Sequence, residues 1–415
     1  MLSERKSRGS GFWVTLVLFN LFIVAVLGVL LRSKILFPIE ICDFKYLLNA
    51  HSHFAFGGWI SLTIIVLLVY EILPPGMSEK SIYQWLFGSA FINAWGMLLS
   101  FPFQGYGFYS ILFSALFTLT TYVFSWVFIR DIWKARGGKA VRLLCIGALL
   151  SLVFSSAGPI ALAYLASSKS VDVLLNRDAV YTYLHLQYNG FFSLAVFALL
   201  FHRFGETSGK KFQLIALRFA VAISLSILPS LFLTYLWHYP NIYVRLLALT
   251  GCVFVILSLA FLVLVLSNLK GSLSASPALI KNLVLVSMLA FCMKSLMQCG
   301  VVIPAVGDLI FANRPIIIGY LHLIMLGFIS LYLMAHFCTM GLLDVGSRFT
   351  KYSVMCFLFA VIVNETILMV QGICAFFMMG SPKYQWYLWY AAILLSVSTL
   401  LIYISRLKTK DLPVK

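Results

Sequence analysis

Seven histidines punctuate a chain that is otherwise mostly apolar, and five of them stand in segments with chemical possibilities. His51 and His53 occur in NAHSHFAFGGWISL, His185 in YLHLQYNGFF, His238 in TYLWHYPN and His322 in GYLHLIMLGF. Neutral imidazole is the commonest metal ligand among side chains. Two imidazoles on separate helices can approach one haem iron from opposite sides. His51 and His53 are two residues apart, about 200° around a helix, so they cannot face the same ligand. Tyr320 and His322 point apart for the same reason. His185 and Asn189 stand at i and i+4, on one helix face, where they can share a ligand or a water. Pro240 closes the segment that carries His238.

The elements that must position these residues are membrane spans. Crossing the hydrocarbon core takes about 20 apolar residues. Runs of that kind, cut at Gly, Pro and charge, predict twelve spans at roughly 11–32, 46–72, 82–101, 108–130, 140–165, 179–204, 212–237, 242–268, 279–305, 315–342, 352–378 and 384–405. The expected architecture is all-α: a polytopic transmembrane bundle read as one domain over 1–415, its solvent the lipid bilayer. Lys and Arg collect on the cytoplasmic side of membrane proteins. With the N-terminus inside, twenty-one of the thirty Lys and Arg residues fall in inside segments, eight fall outside, and Lys294 lies within a span. Both termini are therefore expected in the cytoplasm. That orientation puts the five histidines at one depth near the outer face, on spans two, six, seven and ten. His202 and His336 fall near the cytoplasmic ends.

Composition supports the same solvent. The chain is 62% hydrophobic and 10% charged, with a mean hydropathy of +1.00. A soluble domain carries about 25% charged residues. The net charge of +17 comes from short basic loops rather than an aromatic-interleaved stripe, which argues against a nucleic-acid partner. None of the eight cysteines forms a CxxC pair, so neither a disulfide framework nor a zinc–thiolate site is expected. The N-terminal apolar run is longer than a signal h-region and no small-x-small cleavage site follows, so it reads as a retained first span. No internal repeat is evident at this level of reading.

Other intramembrane polar groups call for partners. Lys294 lies near Gln298 in span nine, and Glu365 lies beside Asn364 in span eleven, with Gln371 following. Each charge alone would be expensive in lipid, and the two are expected to pair or to serve a proton path. Arg245 and Arg314 fall at the outer surface, where a guanidinium can hold a carboxylate bidentately. Trp237, Tyr239, Tyr243, Trp386 and Trp389 fit an interfacial aromatic belt. The loop PFQGYGFY at 102–109 reads as a tight turn.

Together these residues resemble the haem–copper oxidase subunit I superfamily, which includes cytochrome c oxidases and the nitric oxide reductases. The resemblance covers most of the chain. It rests on twelve spans, on histidines in spans two, six, seven and ten, on NAHSHFAFGGW continuing to YEILPP, and on HLIMLG. It implies His51 or His53, with His322, as axial ligands of a low-spin haem, b-type, near the outer face. The nitric oxide reductase pattern H-x-x-x-E-G matches HLQYNG at His185, with Asn189 at the acidic position. His238 matches one of that family's paired histidines, and Trp237 stands at the other. The implied second metal, copper or non-haem iron, would then face His185, His238 and Asn189.

Two departures follow. Tyr320 stands where the family's span-ten motif has the histidine of the gas-reducing haem, and the second-metal site keeps two histidines. The resemblance thus implies an intact low-spin site with Tyr320 and Arg314 near it, and a degenerate reducing site. The expected role is respiratory electron transfer, or O2- or NO-related redox chemistry, in a bacterial inner membrane. A cytochrome c-like donor or a partner subunit would serve it. Two other readings stay open: a non-enzymatic haem- or metal-binding gas sensor, and a secondary transporter coupled through Lys294 and Glu365.

Overall fold

The computed structural model describes residues 2–135, 137–205 and 209–409. Twelve helices in it are long and apolar enough to cross a membrane: Gly9–Leu36, Phe44–Ile72, Ser81–Gln104, Phe108–Lys134, Lys139–Ser167, Val173–Gly205, Lys210–Thr234, Ile242–Ala275, Ala278–Gly300, Arg314–Thr339, Arg348–Ala375 and Lys383–Thr409. They are numbered here as spans one to twelve. No strand occurs among the described residues. The expected all-α bundle is what forms, and the chain is a multi-pass membrane protein.

Spans two and six begin earlier than expected because polar caps start helices before hydropathy does. Asp43 accepts from the backbone N–H groups of Lys45 and Tyr46 and opens span two. Asp172 caps the N–H of Leu175, and Asn241 that of Val244, opening spans six and eight. A cap of this kind satisfies backbone donors that the first turn leaves free. Between spans three and four the chain turns at Gly105, whose φ is +56°. A side chain at Gly105 would also run into the Tyr46 ring.

Packing groups the chain into two compact units. The first holds residues 1–124, 277–287 and 318–415; within it span one packs on span twelve, span eleven on twelve, and span two on three. The second holds residues 125–276 and 288–317, where span seven packs on eight and span five on six. Gly251 makes the approach of spans seven and eight possible, because a Cβ there would meet the backbone of Pro229 and Ser230.

Spans two, six and ten depart from α geometry. A π-helical segment runs over Ala55–Ser61, another over Leu186–Phe192 and a third over Leu323–Ser330. Span two carries a second one at Leu68–Ile72. Such bulges are rare and concentrate at functional sites. The first begins two residues after His53, the second directly after His185 and the third directly after His322.

Candidate functional site

The three bulges share a sequence. His53, His185 and His322 are each followed by four residues, then Gly, an aromatic residue, Ile or Phe, Ser and Leu. The copies end in Gly58-Trp59-Ile60-Ser61-Leu62, Gly190-Phe191-Phe192-Ser193-Leu194 and Gly327-Phe328-Ile329-Ser330-Leu331. This is an internal repeat that the sequence reading missed. The serine has a structural task in two copies: Ser193 Oγ donates to the carbonyl of Tyr188 at 2.5 Å, and Ser330 Oγ to that of Met325 at 2.7 Å, both five residues back. Ser330 Oγ also accepts from Trp59 Nε1 at 3.0 Å.

In the first unit, His51 and His322 are brought within electrostatic reach of one another, and Arg32 of span one is within reach of both. His322 Nδ1 bonds the carbonyl of Ile318 at 2.8 Å. A carbonyl only accepts, so Nδ1 carries the proton and Nε2 keeps its lone pair. His51 Nδ1 is buried and has no hydrogen-bond partner. The same ring faces the backbone of Val24, and its Cε1 would lie 3.7 Å from a Cβ placed at Gly28. No residue of Arg314–His322 is fully buried, whereas Ile324 and Gly327–Cys338 are. Two imidazoles with a free ring nitrogen each thus stand within reach of one another. These residues fit a haem.

His53 turns elsewhere. Its ring stacks on Phe101 with centroids 4.5 Å apart, and Nε2 shares a hydrogen bond of 3.1 Å with the Tyr106 hydroxyl. Tyr320 is half-buried on the same helix as His322, and Arg314 is exposed at its start. Arg32, which sequence reasoning passed over, donates to Gln385 Oε1 at 3.3 Å. Its signal was available: it is the one charge within the last two turns of span one apart from Lys34.

The second unit holds His185 and His238, and gives them separate partners. His185 is fully buried, with Nε2 on the carbonyl of Ile227 at 2.9 Å and Nδ1 against Asn189 Nδ2 at 3.1 Å. Both nitrogens are spent. Counted from Val173, His185 is twelve residues into its helix, against seven for His51 and eight for His322. That is about 6 Å further from the start of its own helix. His238 lies beyond the end of span seven, and its Nε2 pairs with Asp178 Oδ2 at 3.0 Å. Trp237 lies under the Arg177 guanidinium, 4.4 Å from the ring centroid. Beside this pair, Tyr235 OH shares a hydrogen bond with Thr182, and burial raises its pKa. Of the two histidines only His238 keeps a free nitrogen, at Nδ1. One imidazole is too few to hold copper or iron by itself. Among the described residues no three His, Cys, Asp or Glu side chains gather as a metal site. The residues expected to hold a second metal do not fit one.

Lys294 donates to Asn189 Oδ1, and Asn364 Nδ2 donates to Glu365 Oε1 at 3.0 Å. Lys294 and Glu365 belong to different units, and each has a partner within its own. In the first unit, His336 Nε2 lies 3.8 Å from Glu71 Oε2.

No family model matches the chain, and no curated relative matches it. Among solved structures it is similar to a haem–copper terminal oxidase determined as a dimer by cryo-electron microscopy. The TM-score is 0.67 at 13% identity, and the match covers 98% of this chain and 85% of that one. Twelve spans, bulged helices bearing histidines and this likeness lead to one conclusion: the chain has the fold of the haem–copper terminal oxidases.

Proposed function

We propose that the chain is a haem-binding membrane protein that carries electrons through a single low-spin haem, held by His51 and His322. The observation that carries this reading is the pair of imidazoles in mutual reach, each with one ring nitrogen left for iron. Bound there, a haem would supply one-electron chemistry between ferric and ferrous iron. The chain's own residues do the rest. Ile318 fixes the tautomer and orientation of His322, the kind of support from behind that metal-ligating histidines usually have. Arg32 sets a positive charge near the iron, where it can also pair with a haem carboxylate. Gly28, beside His51, leaves room for a flat group. A b-type haem, held without covalent links, is the simplest occupant. The proposed setting is a bacterial inner membrane, with a cytochrome c-like donor or a partner subunit on the outer side.

Gas reduction is left out of this reading because the second-metal residues have other bonds. Haem content of purified variants tests the proposal. His51→Ala and His322→Ala should each lose haem by pyridine haemochrome assay, while His53→Ala keeps it. Full haem content in both His51→Ala and His322→Ala would sink it.

A further inference from the structure

We infer that the Lys294 ammonium is the cation of the polar site at His185, standing where the family resemblance places a second metal ion. The inference rests on the resemblance used in the proposed function, and deepens it.

A chain of three hydrogen bonds carries the argument. The Ile227 carbonyl can only accept, so His185 Nε2 is protonated and donates to it. A neutral imidazole then has one acceptor, Nδ1, and Asn189 Nδ2 donates to it. That leaves Asn189 Oδ1 as an acceptor, and Lys294 Nζ donates to it at 2.5 Å. Lys294 also decides which way the amide points. Turned over, the amide would set its NH2 against an ammonium, which has no lone pair. It would also offer its oxygen to His185 Nδ1, which could then bond only by taking a proton. The lysine therefore fixes the amide, and the amide fixes the tautomer. In that tautomer the one lone pair of His185, on Nδ1, is taken by Asn189 and not left for a metal.

The surroundings agree. His185, Asn189 and Lys294 are 0%, 7% and 3% exposed, so each bond replaces water and each lost bond leaves a buried orphan. The Phe291 ring, 4.8 Å from Nζ, adds a cation–π contact. One turn further along span nine, Gln298 presents Nε2, another donor, with no partner. This face of span nine offers protons to the site. Cys292 and Cys299 lie within electrostatic reach of the ammonium, yet no ligand set forms around it. A divalent ion at this position would face a fixed positive charge a few ångströms away in a medium that screens poorly.

Two measurements on the full-length purified protein test this. The first is metal content and haem on the same sample, from cells grown with added copper, iron and zinc. The expected result is iron equal to haem, with copper, zinc and non-haem iron substoichiometric. One additional ion per chain, lost in His185→Ala, would overturn the inference. Absence of haem would overturn the proposed function instead, so the two failures are distinguishable. The second is a double-mutant cycle in thermal unfolding, with Asn189→Leu and Lys294→Met. The direct bond predicts that the double variant loses clearly less than the two single losses together. Additive losses would show that no such link exists. Should Lys294→Met fail to accumulate, Lys294→Arg keeps the charge: it is expected to hold no ion beyond haem iron, and one extra ion per chain in it would overturn the inference.

Discussion

At the scale of single residues, what separates the histidines is the use made of each ring nitrogen. His185 spends both, His53 lends one to Tyr106 and stacks its face, and His238 is tied to Asp178. His51 and His322 alone combine a free nitrogen with mutual reach. The charge near them has a measurable effect. A cation disfavours the extra positive charge of ferric haem, so Arg32→Gln should lower the midpoint potential on the order of tens of millivolts, with haem retained. A redox titration reads this directly, and an unchanged potential would place Arg32 away from the iron. The sequence showed which histidines were chemically interesting, because their depth follows from span order. It did not show their partners. Asp178 is sixty residues from His238, and Lys294 is 105 from Asn189, so only folding reveals the pairs.

At the scale of elements, the caps and the bulges explain where sequence and structure part. Hydropathy placed the start of span six near residue 179, but Asp172 begins the helix at Val173, six residues earlier. The π segments could not be foreseen one by one, since Gly and aromatic residues are common in membrane helices. Their repeat was legible once three copies were set side by side: six near-fixed positions in ten, easily lost in apolar sequence. The same register equates His51 with Tyr183 and Tyr320, so position within the repeat does not by itself choose a ligand. The serine bond to the carbonyl five residues back, seen at Ser193 and Ser330, is testable. Ser330→Ala removes the bond to Met325 and the acceptor of Trp59, and should destabilise the protein by about 1 kcal/mol or more. Ser276→Ala, whose hydroxyl bonds only its own helix end, should cost much less in the same thermal melt. Equal losses would deny the bulge serine a special role.

At the scale of the whole molecule, twelve spans and the bias of basic loops predict the orientation on which the proposed placement of the haem depends. Cys42 lies between spans one and two, in a segment expected outside. An impermeant maleimide should label it in intact cells; labelling confined to inside-out vesicles would reverse the topology. The likeness to a terminal oxidase at 13% identity reaches the fold and not the chemistry. Function resides in sites carried on folds, so the role of this chain is tested at its own residues. The central claim, one iron between two imidazoles and none elsewhere, is tested most directly by low-temperature electron paramagnetic resonance of the oxidised protein. A single low-spin ferric haem with bis-imidazole g values, unaffected by carbon monoxide on reduction, is the predicted result. A high-spin ferric signal, or a spectrum shifted by carbon monoxide, would contradict it.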